Sequence, residues 1–355
     1  MSGAEPALHR IVPAARARIP WAALGAWPTA VEPCQGELVG QVWLKREDRS
    51  SPRYGGNKVR TLEAVLGDVI AGGHRRLWAT GAYGSNHTLA TAIHGADLGL
   101  DIGALVFPQP PSEPARDNLA ALAATGATVQ RVTSVLALPW AMARVRRTQP
   151  DAAVMPPGGA TPVGAVGALS AALELAEQVA AGAMPAPARV VLPTGSVCTA
   201  AGLLAGVHLA AARGLGWRRP PLIHAVRVTP WPVTSAWRIT HLAAATLARL
   251  DARLGVPLQL GARQLRSGLR VDGSQLGPGY GHPTTAGGSA AAWLAAAGAP
   301  PLDDVYAAKA AAALRATPTS APTVFWVTKS SAPLPEPSAA DLARLDPALL
   351  AWLRR

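Results

Sequence analysis

Lys58 is the residue of this sequence best suited to covalent chemistry. Only four of the 33 Lys and Arg residues are lysines, at positions 45, 58, 309 and 329. Arg, Ala, Gly and Pro are inflated together, so the ratio reflects biased composition. A lysine kept against that bias marks a post where arginine would not serve. Lys58 closes the run Arg53-Tyr54-Gly55-Gly56-Asn57-Lys58, a glycine turn handing over to a helix. Unlike arginine, a buried lysine can lose its proton and act as a nucleophile or Schiff-base partner. Scarcity singles out further residues. Of four tyrosines (54, 83, 280, 306) and three asparagines (57, 86, 118), three tyrosines and two asparagines lie in glycine-rich loops. Tyr306 begins a helix.

A second chemical feature is the loop Thr194-Gly195-Ser196-Val197-Cys198-Thr199. It joins a strand to a helix starting near Ala200, and its backbone amides, helix N-terminus and hydroxyls suit an anion. It is neither a Gly-Lys-Ser/Thr nucleotide loop nor a Gly-x-Gly-x-x-Gly fingerprint. By itself it reads equally as an ordinary strand–helix turn. Together with an aimed lysine it points to pyridoxal 5′-phosphate, which needs a Schiff-base lysine, a phosphate site and hydrogen bonds to its ring.

The elements that must hold these residues alternate between strand and helix. The patterning predicts strands at 41–46, 76–80, 102–107, 128–132, 189–192, 222–228 and 323–327. Helices are expected at 59–71, 87–98, 114–124, 163–182, 200–213, 233–254, 286–297 and 307–315, several stopped by glycine. Alternation of this kind predicts parallel sheets flanked by helices. Residues 1–40 read as an extended arm, and 331–355 as a Pro-rich, weakly helical tail.

The motifs, taken in order, resemble the D-cysteine desulfhydrase/1-aminocyclopropane-1-carboxylate (ACC) deaminase family. They are Leu44-Lys45-Arg46-Glu47-Asp48, Gly55 to Glu63, Ser85-Asn86-His87-Thr88 and Pro156-Pro157-Gly158-Gly159. Gly195-Ser196-x-x-Thr199-x-Ala201-Gly202-Leu203, Gly279-Tyr280-Gly281-x-Pro283 and Asp304-Val305-Tyr306-x-x-Lys309 complete the set. The resemblance spans roughly residues 18 to 330. It implies a two-domain α/β fold of the tryptophan-synthase-β type (fold type II), with a larger cofactor domain of residues 1–58 plus 165–355 and a smaller one of 59–164. It also implies that Lys58 carries the cofactor and moves the substrate Cα proton, and that Asn86 bonds the ring oxygen. Ser85 and the amides of residues 86–88, His87 among them, would hold the substrate carboxylate. Gly195, Ser196, Val197, Cys198 and Thr199 would hold the phosphate, and Thr328 would face the pyridine nitrogen. Tyr280 and Tyr306 would line the substrate side and take part in its chemistry. A homodimer is a further implication.

ACC deaminases resemble one another in a Glu directly after the motif tyrosine and an apolar residue facing the pyridine. Ala307 and Thr328 are closer to the desulfhydrase arrangement. The expected reaction is therefore deaminating β-elimination of a small amino acid, D-cysteine first, releasing sulfide, ammonia and a 2-oxo acid. ACC deamination is the first alternative. The sequence departs from the family pattern at Gly84, Leu89, Val197, Cys198, His282 and Lys329-Ser330, and Gly84, His282 and Lys329 keep open a racemase or β-replacement enzyme of secondary metabolism. A non-catalytic basic binding protein is the remaining alternative. His87 also reads as a helix-start residue, His282 as a loop or substrate contact, Cys198 as buried filler, and Lys45 as half of a surface or junction ion pair.

Composition narrows the classes. The +12 formal charge comes from scattered arginines, densest at Arg144, Arg146 and Arg147, without zinc spacing or an RNA-binding signature, so nucleic acid is not an expected partner. No uninterrupted apolar run of membrane-spanning length occurs, and residues 1–13 lack a signal-like apolar stretch. Two distant cysteines, Cys34 and Cys198, fit a reducing cytoplasm. No metal site is expected.

Overall fold

The structure, a computed structural model, describes residues 5–255 and 260–354. Ten strands follow in chain order: β1 (Val31–Pro33), β2 (Val42–Lys45), β3 (Arg76–Ala82), β4 (Asp101–Phe107), β5 (Thr128–Arg131), β6 (Ala152–Val154), β7 (Arg189–Thr194), β8 (Leu222–Arg227), β9 (Leu269–Asp272) and β10 (Thr323–Trp326). They form two sheets, ordered β1-β2-β10-β7-β8-β9 and β5-β4-β3-β6. Every pairing is parallel except β1 on β2. Helices flank both sheets, as the alternation predicts. This is the α/β architecture the motifs imply.

All seven expected strands are present. The three that were not anticipated, β1, β6 and β9, are edge strands of three or four residues. β1 ends on Pro33, tolerable only at an edge where no ladder donor is needed. The expected extended arm is partly helical, with short helices at Ala7–Ile11 and Ala14–Arg18; its first four residues lie outside the described ones. Helix Leu138–Thr148 was also unanticipated. It buries only Leu138 and Val145, so its apolar stripe is thin. The expected helix 233–254 begins at Ala236, after a Ser235 side-chain cap.

Helices Pro162–Ala180 and Cys198–Ala212 form the central packing of the larger sheet's core. They approach so closely that a Cβ on Gly202 would lie 2.3 Å from the Ala165 carbonyl oxygen. Pro162–Ala180 is long and apolar enough to cross a membrane, yet 72% of its apolar window is buried inside the fold, as for a core helix. Helix Lys58–Ala71 packs by Leu62, Val65, Leu66 and Val69 into the smaller sheet's cluster. Leu345, Leu349 and Trp352 of the tail join that same cluster. The tail therefore lies against the smaller sheet, although the division by sequence groups it with the larger unit.

Lys45 makes no surface pair. It is fully buried, with Nζ 2.6 Å from Glu174, and it also donates to the Thr29 carbonyl and Gln178. Arg60 bridges Glu47 and Glu174 at 2.8 and 2.7 Å and stacks 3.4 Å over Trp27. Burial opposes ionisation of Glu174, but Arg60 and Lys45 pull its pKa down to about 2. The network ties the arm, β2, the turn after it and two helices together, directly behind the start of helix Lys58–Ala71.

Candidate active site

The Gly55-Gly56 turn is seated on the end of β10. Asn57 donates its amide to the Thr328 carbonyl (3.1 Å), and the Gly55 amide donates to Ser330 Oγ (2.8 Å). Gly56 has φ +91°, and a Cβ there would lie 2.7 Å from the Thr328 carbonyl oxygen, so glycine is required on both counts. This seating delivers Lys58 as the first residue of its helix. Its amine faces a cavity of about 340 Å³ and has no carboxylate partner among the described residues. Burial holds its pKa below the ordinary lysine value.

Every sequence-nominated site residue lines this one cavity: Lys58, Ser85, Asn86, His87, the 195–199 loop, Tyr280, Tyr306 and Thr328. Ser85 caps helix Asn86–Asp97, its Oγ accepting the amides of His87 and Thr88 (3.2 and 3.4 Å). The hydroxyl proton stays free to donate. Asn86 Oδ1 accepts from both Tyr54 OH and Asn118 Nδ2, each at 2.9 Å. With its oxygen saturated, the Asn86 amide nitrogen is the group left to donate. Asn118 also donates to the Gly84 carbonyl. A Cβ at Gly84 would lie 2.4 Å from Ala115 Cα, so no larger residue fits there.

The 194–199 loop is rich in donors that no group of the protein uses. The first helical bond of the following helix runs from the Ala201 amide to the Val197 carbonyl. The amides of residues 198–200 therefore precede the helical ladder. Thr199 Oγ1 accepts from Asn57 Nδ2 (2.8 Å) and keeps its proton to donate, while Thr194 Oγ1 is buried with no partner. Thr229 and Thr234 hold the Gly195 carbonyl at 3.2 and 2.7 Å. Val197 is, among the described residues, the only non-glycine with a left-handed backbone (φ +68°). Cys198 is buried filler, donating to the Gly159 carbonyl at 3.1 Å.

Tyr280 and Tyr306 share a 2.9 Å hydrogen bond between phenols. Tyr280 also donates to Gln109 Oε1 at 3.4 Å, which leaves its oxygen to accept from Tyr306. Burial raises both phenol pKa values, so both are protonated near neutrality. Asp303 accepts the amides of Tyr306 and Ala307 (2.6 and 3.1 Å) and so starts that helix. Lys309 donates to the carbonyls of Leu276 and Gly279, pinning the loop that carries Tyr280.

His87 is buried with both ring nitrogens unpartnered. Burial, with Lys58 beside it, lowers its pKa to about 3, so it is neutral. His282 is exposed and off the cavity wall. Sequence reading missed four positioning residues: Asn118, Asp303, Gln109 and Tyr54 in its role on Asn86. The scarcity of Asn and Tyr already pointed at two of them.

An unpaired lysine amine, a directed amide donor and a loop of unused amide and hydroxyl donors match what pyridoxal 5′-phosphate requires. Residues 22–328 match the family described as "Pyridoxal-phosphate dependent enzyme", and the chain belongs to it. Within that family it is similar to D-cysteine desulfhydrases. It is 30% identical over 310 residues to the D-cysteine desulfhydrase of Salmonella choleraesuis (strain SC-B67), covering 84% of this chain and 88% of that one. It is 41% identical over 189 residues to the nocardicin C-9′ epimerase of Nocardia uniformis subsp. tsuyamanensis, covering 51% of this chain and 57% of that protein. The chain thus spans little more than half the length of the epimerase it matches. A solved ACC deaminase homologue superimposes with a TM-score of 0.73 at 23% identity over 92% of this chain and 95% of that one, which shows the shared fold. The protein is a pyridoxal-phosphate-dependent enzyme, and the reading of a cofactor-free basic binding protein is set aside.

Proposed function

We propose that this enzyme deaminates a small amino acid by β-elimination, with D-cysteine as the reference substrate. The observation that carries the reading is the Lys58 amine, held below its usual pKa and facing the cavity without a counter-charge. Pyridoxal phosphate, when bound, supplies the electron sink that lets a Cα–H bond break. Residues 195–199 would hold its phosphate, Asn86 would donate to its ring oxygen and Thr328 would face its pyridine nitrogen. Ser85 and the amides of residues 86–88 hold the substrate carboxylate. Lys58 takes the Cα proton. The Cβ–S bond then breaks with its electron pair on sulfur, and the Tyr306–Tyr280 pair protonates the departing sulfide. Water hydrolyses the resulting 2-aminoacrylate to pyruvate and ammonia. Ala307 and Thr328, in place of an acid and an apolar residue, favour elimination over ACC ring opening.

Assaying D-cysteine, L-cysteine, D-serine and ACC for 2-oxo acid, and the cysteines for sulfide, tests this. Turnover of ACC alone would sink the elimination reading. A second reading, epimerisation at Cα, is favoured by the 41% identical epimerase. It shares the proton transfer at Lys58 and predicts solvent deuterium at Cα without loss of ammonia. We further propose a cytoplasmic homodimer, which light scattering of the purified protein checks for assembly.

A further inference from the structure

We propose that the substrate carries a large apolar substituent, of aromatic size, beyond Cβ. This rests on reading the cavity as the pyridoxal-phosphate site and names the substrate class for it. In that reading Lys58, Asn86, the hydroxyls and amides of 194–199, Ser85, the tyrosine pair and Thr328 are occupied. What remains is Asn57, His87, Thr229, Asp303 and Lys329, and an apolar wall of Phe107, Pro108, Val135, Pro230 and Val233. The side chain of cysteine, one methylene and one sulfur, has almost nothing to bury against it.

Two of these residues locate the mouth. Val135 and Val233 line the cavity and are nevertheless 53% and 38% exposed. They come from opposite sides. Val135 opens the short turn before helix Leu138–Thr148 beside the smaller sheet, and Val233 lies between β8 and helix Ala236–Leu254 beside the larger one. Apolar exposure continues outward from each, through Leu136 (77%) and Trp231 (71%). Single exposed apolar residues are ordinary, but an apolar rim continuous with a cavity marks a binding surface. An apolar group attached to an amino acid seated at Lys58 would leave the cavity along this rim and bury against both sides.

The test compares S-benzyl-D-cysteine with D-cysteine, and O-benzyl-D-serine with D-serine, on the cofactor-loaded enzyme. Exchange is read by mass spectrometry in heavy water, as deuterium at Cα of recovered or epimerised substrate and, where elimination follows, as deuterium in the methyl group of the 2-oxo acid, because Cα then carries no hydrogen. Quenching of tryptophan fluorescence reports occupancy of the rim beside Trp231. The benzyl compounds are expected to exceed their small counterparts at least ~10-fold in kcat/KM for exchange. Val135→Asp with Val233→Asp, both at exposed sites, should bring that ratio close to one, and the benzyl-induced quenching should disappear. Exchange at equal kcat/KM for both members of each pair would overturn the proposal and leave the site reading standing. So would a ratio unchanged by the double variant while a dimer dissociates, because the rim would then be a subunit contact. Absence of exchange with every compound would instead take down the site reading, and this proposal with it.

Discussion

Lys45 and Lys58 sit on successive elements, and their surroundings are opposite. Lys45 is sealed from solvent against Glu174, Gln178 and a carbonyl, in a network completed by Arg60 and Glu47. Lys58 opens onto the cavity and has no carboxylate to hold its charge among the described residues. Burial weakens the charged form of any lysine. At Lys45 a carboxylate compensates, so the amine is structural. At Lys58 nothing compensates, so the amine is available for chemistry. Lys309 is a third case, buried and held by two carbonyls, where it positions the Tyr280 loop. Among the buried lysines the missing partner distinguishes the reactive one, and burial separates Lys58 from the half-buried Lys329 on the same cavity.

The comparison can be broken most directly at Lys58. Lys58→Ala is expected to lower Cα exchange by ~10³-fold or more and to abolish the visible cofactor band above ~400 nm. The melting temperature of the cofactor-free protein should barely move; a large fall would place Lys58 with Lys45 as a structural residue. The converse change is Glu174→Gln, which strands Lys45 and Arg60. It should cost about 3–5 kcal/mol in urea unfolding, the scale for breaking a buried ion pair. Loss of cofactor binding without loss of stability would contradict that assignment.

The same carboxylate sets an acid limit. The folded pKa of Glu174 is about 2, below its unfolded value of about 4.3. Its stabilisation is therefore complete above the unfolded value and is lost as pH falls towards 2. Unfolding free energy should decline across that window, less steeply in Glu174→Gln; identical acid limbs would remove Glu174 from the network's energetics.

Smaller effects sharpen the site side of the contrast. Asn118→Ala removes one of two donors that orient Asn86, with an expected loss of cofactor affinity of about tenfold, the scale of one hydrogen bond to an oriented group. A shifted cofactor absorption maximum would distinguish positioning from simple loss of fold. Val197→Gly should stabilise the loaded enzyme by about 1 kcal/mol, because a β-branched residue in the left-handed region is strained. An unchanged or lower unfolding midpoint would show that the loop is not strained there.

Much of this is legible in the sequence. Biased composition made Lys58, Asn86, Tyr280 and Tyr306 conspicuous, and motif order named the cofactor. Central strands declared themselves through apolar β-branched runs, whereas β1, β6 and β9 are too short and too exposed at their edges to carry a pattern. Lys45 reads in the sequence as half of a surface or junction ion pair; the pair exists at a buried junction, and its depth was not legible because Glu174 is remote in sequence. Gly84, an unexplained departure in the motif, makes sense only once Ala115 is seen against it.

Local sequence determined the chemistry available: a lysine after a glycine turn, amides at a helix start and a serine that caps. Those properties depend on neighbours along the chain. Tertiary structure decided which buried lysine is left without a partner, which way Asn86 donates, and that an apolar rim borders the cavity. Each of these depends on groups far apart in sequence and near in space, such as Glu174 on Lys45, Asn118 on Asn86, and Val233 across from Val135.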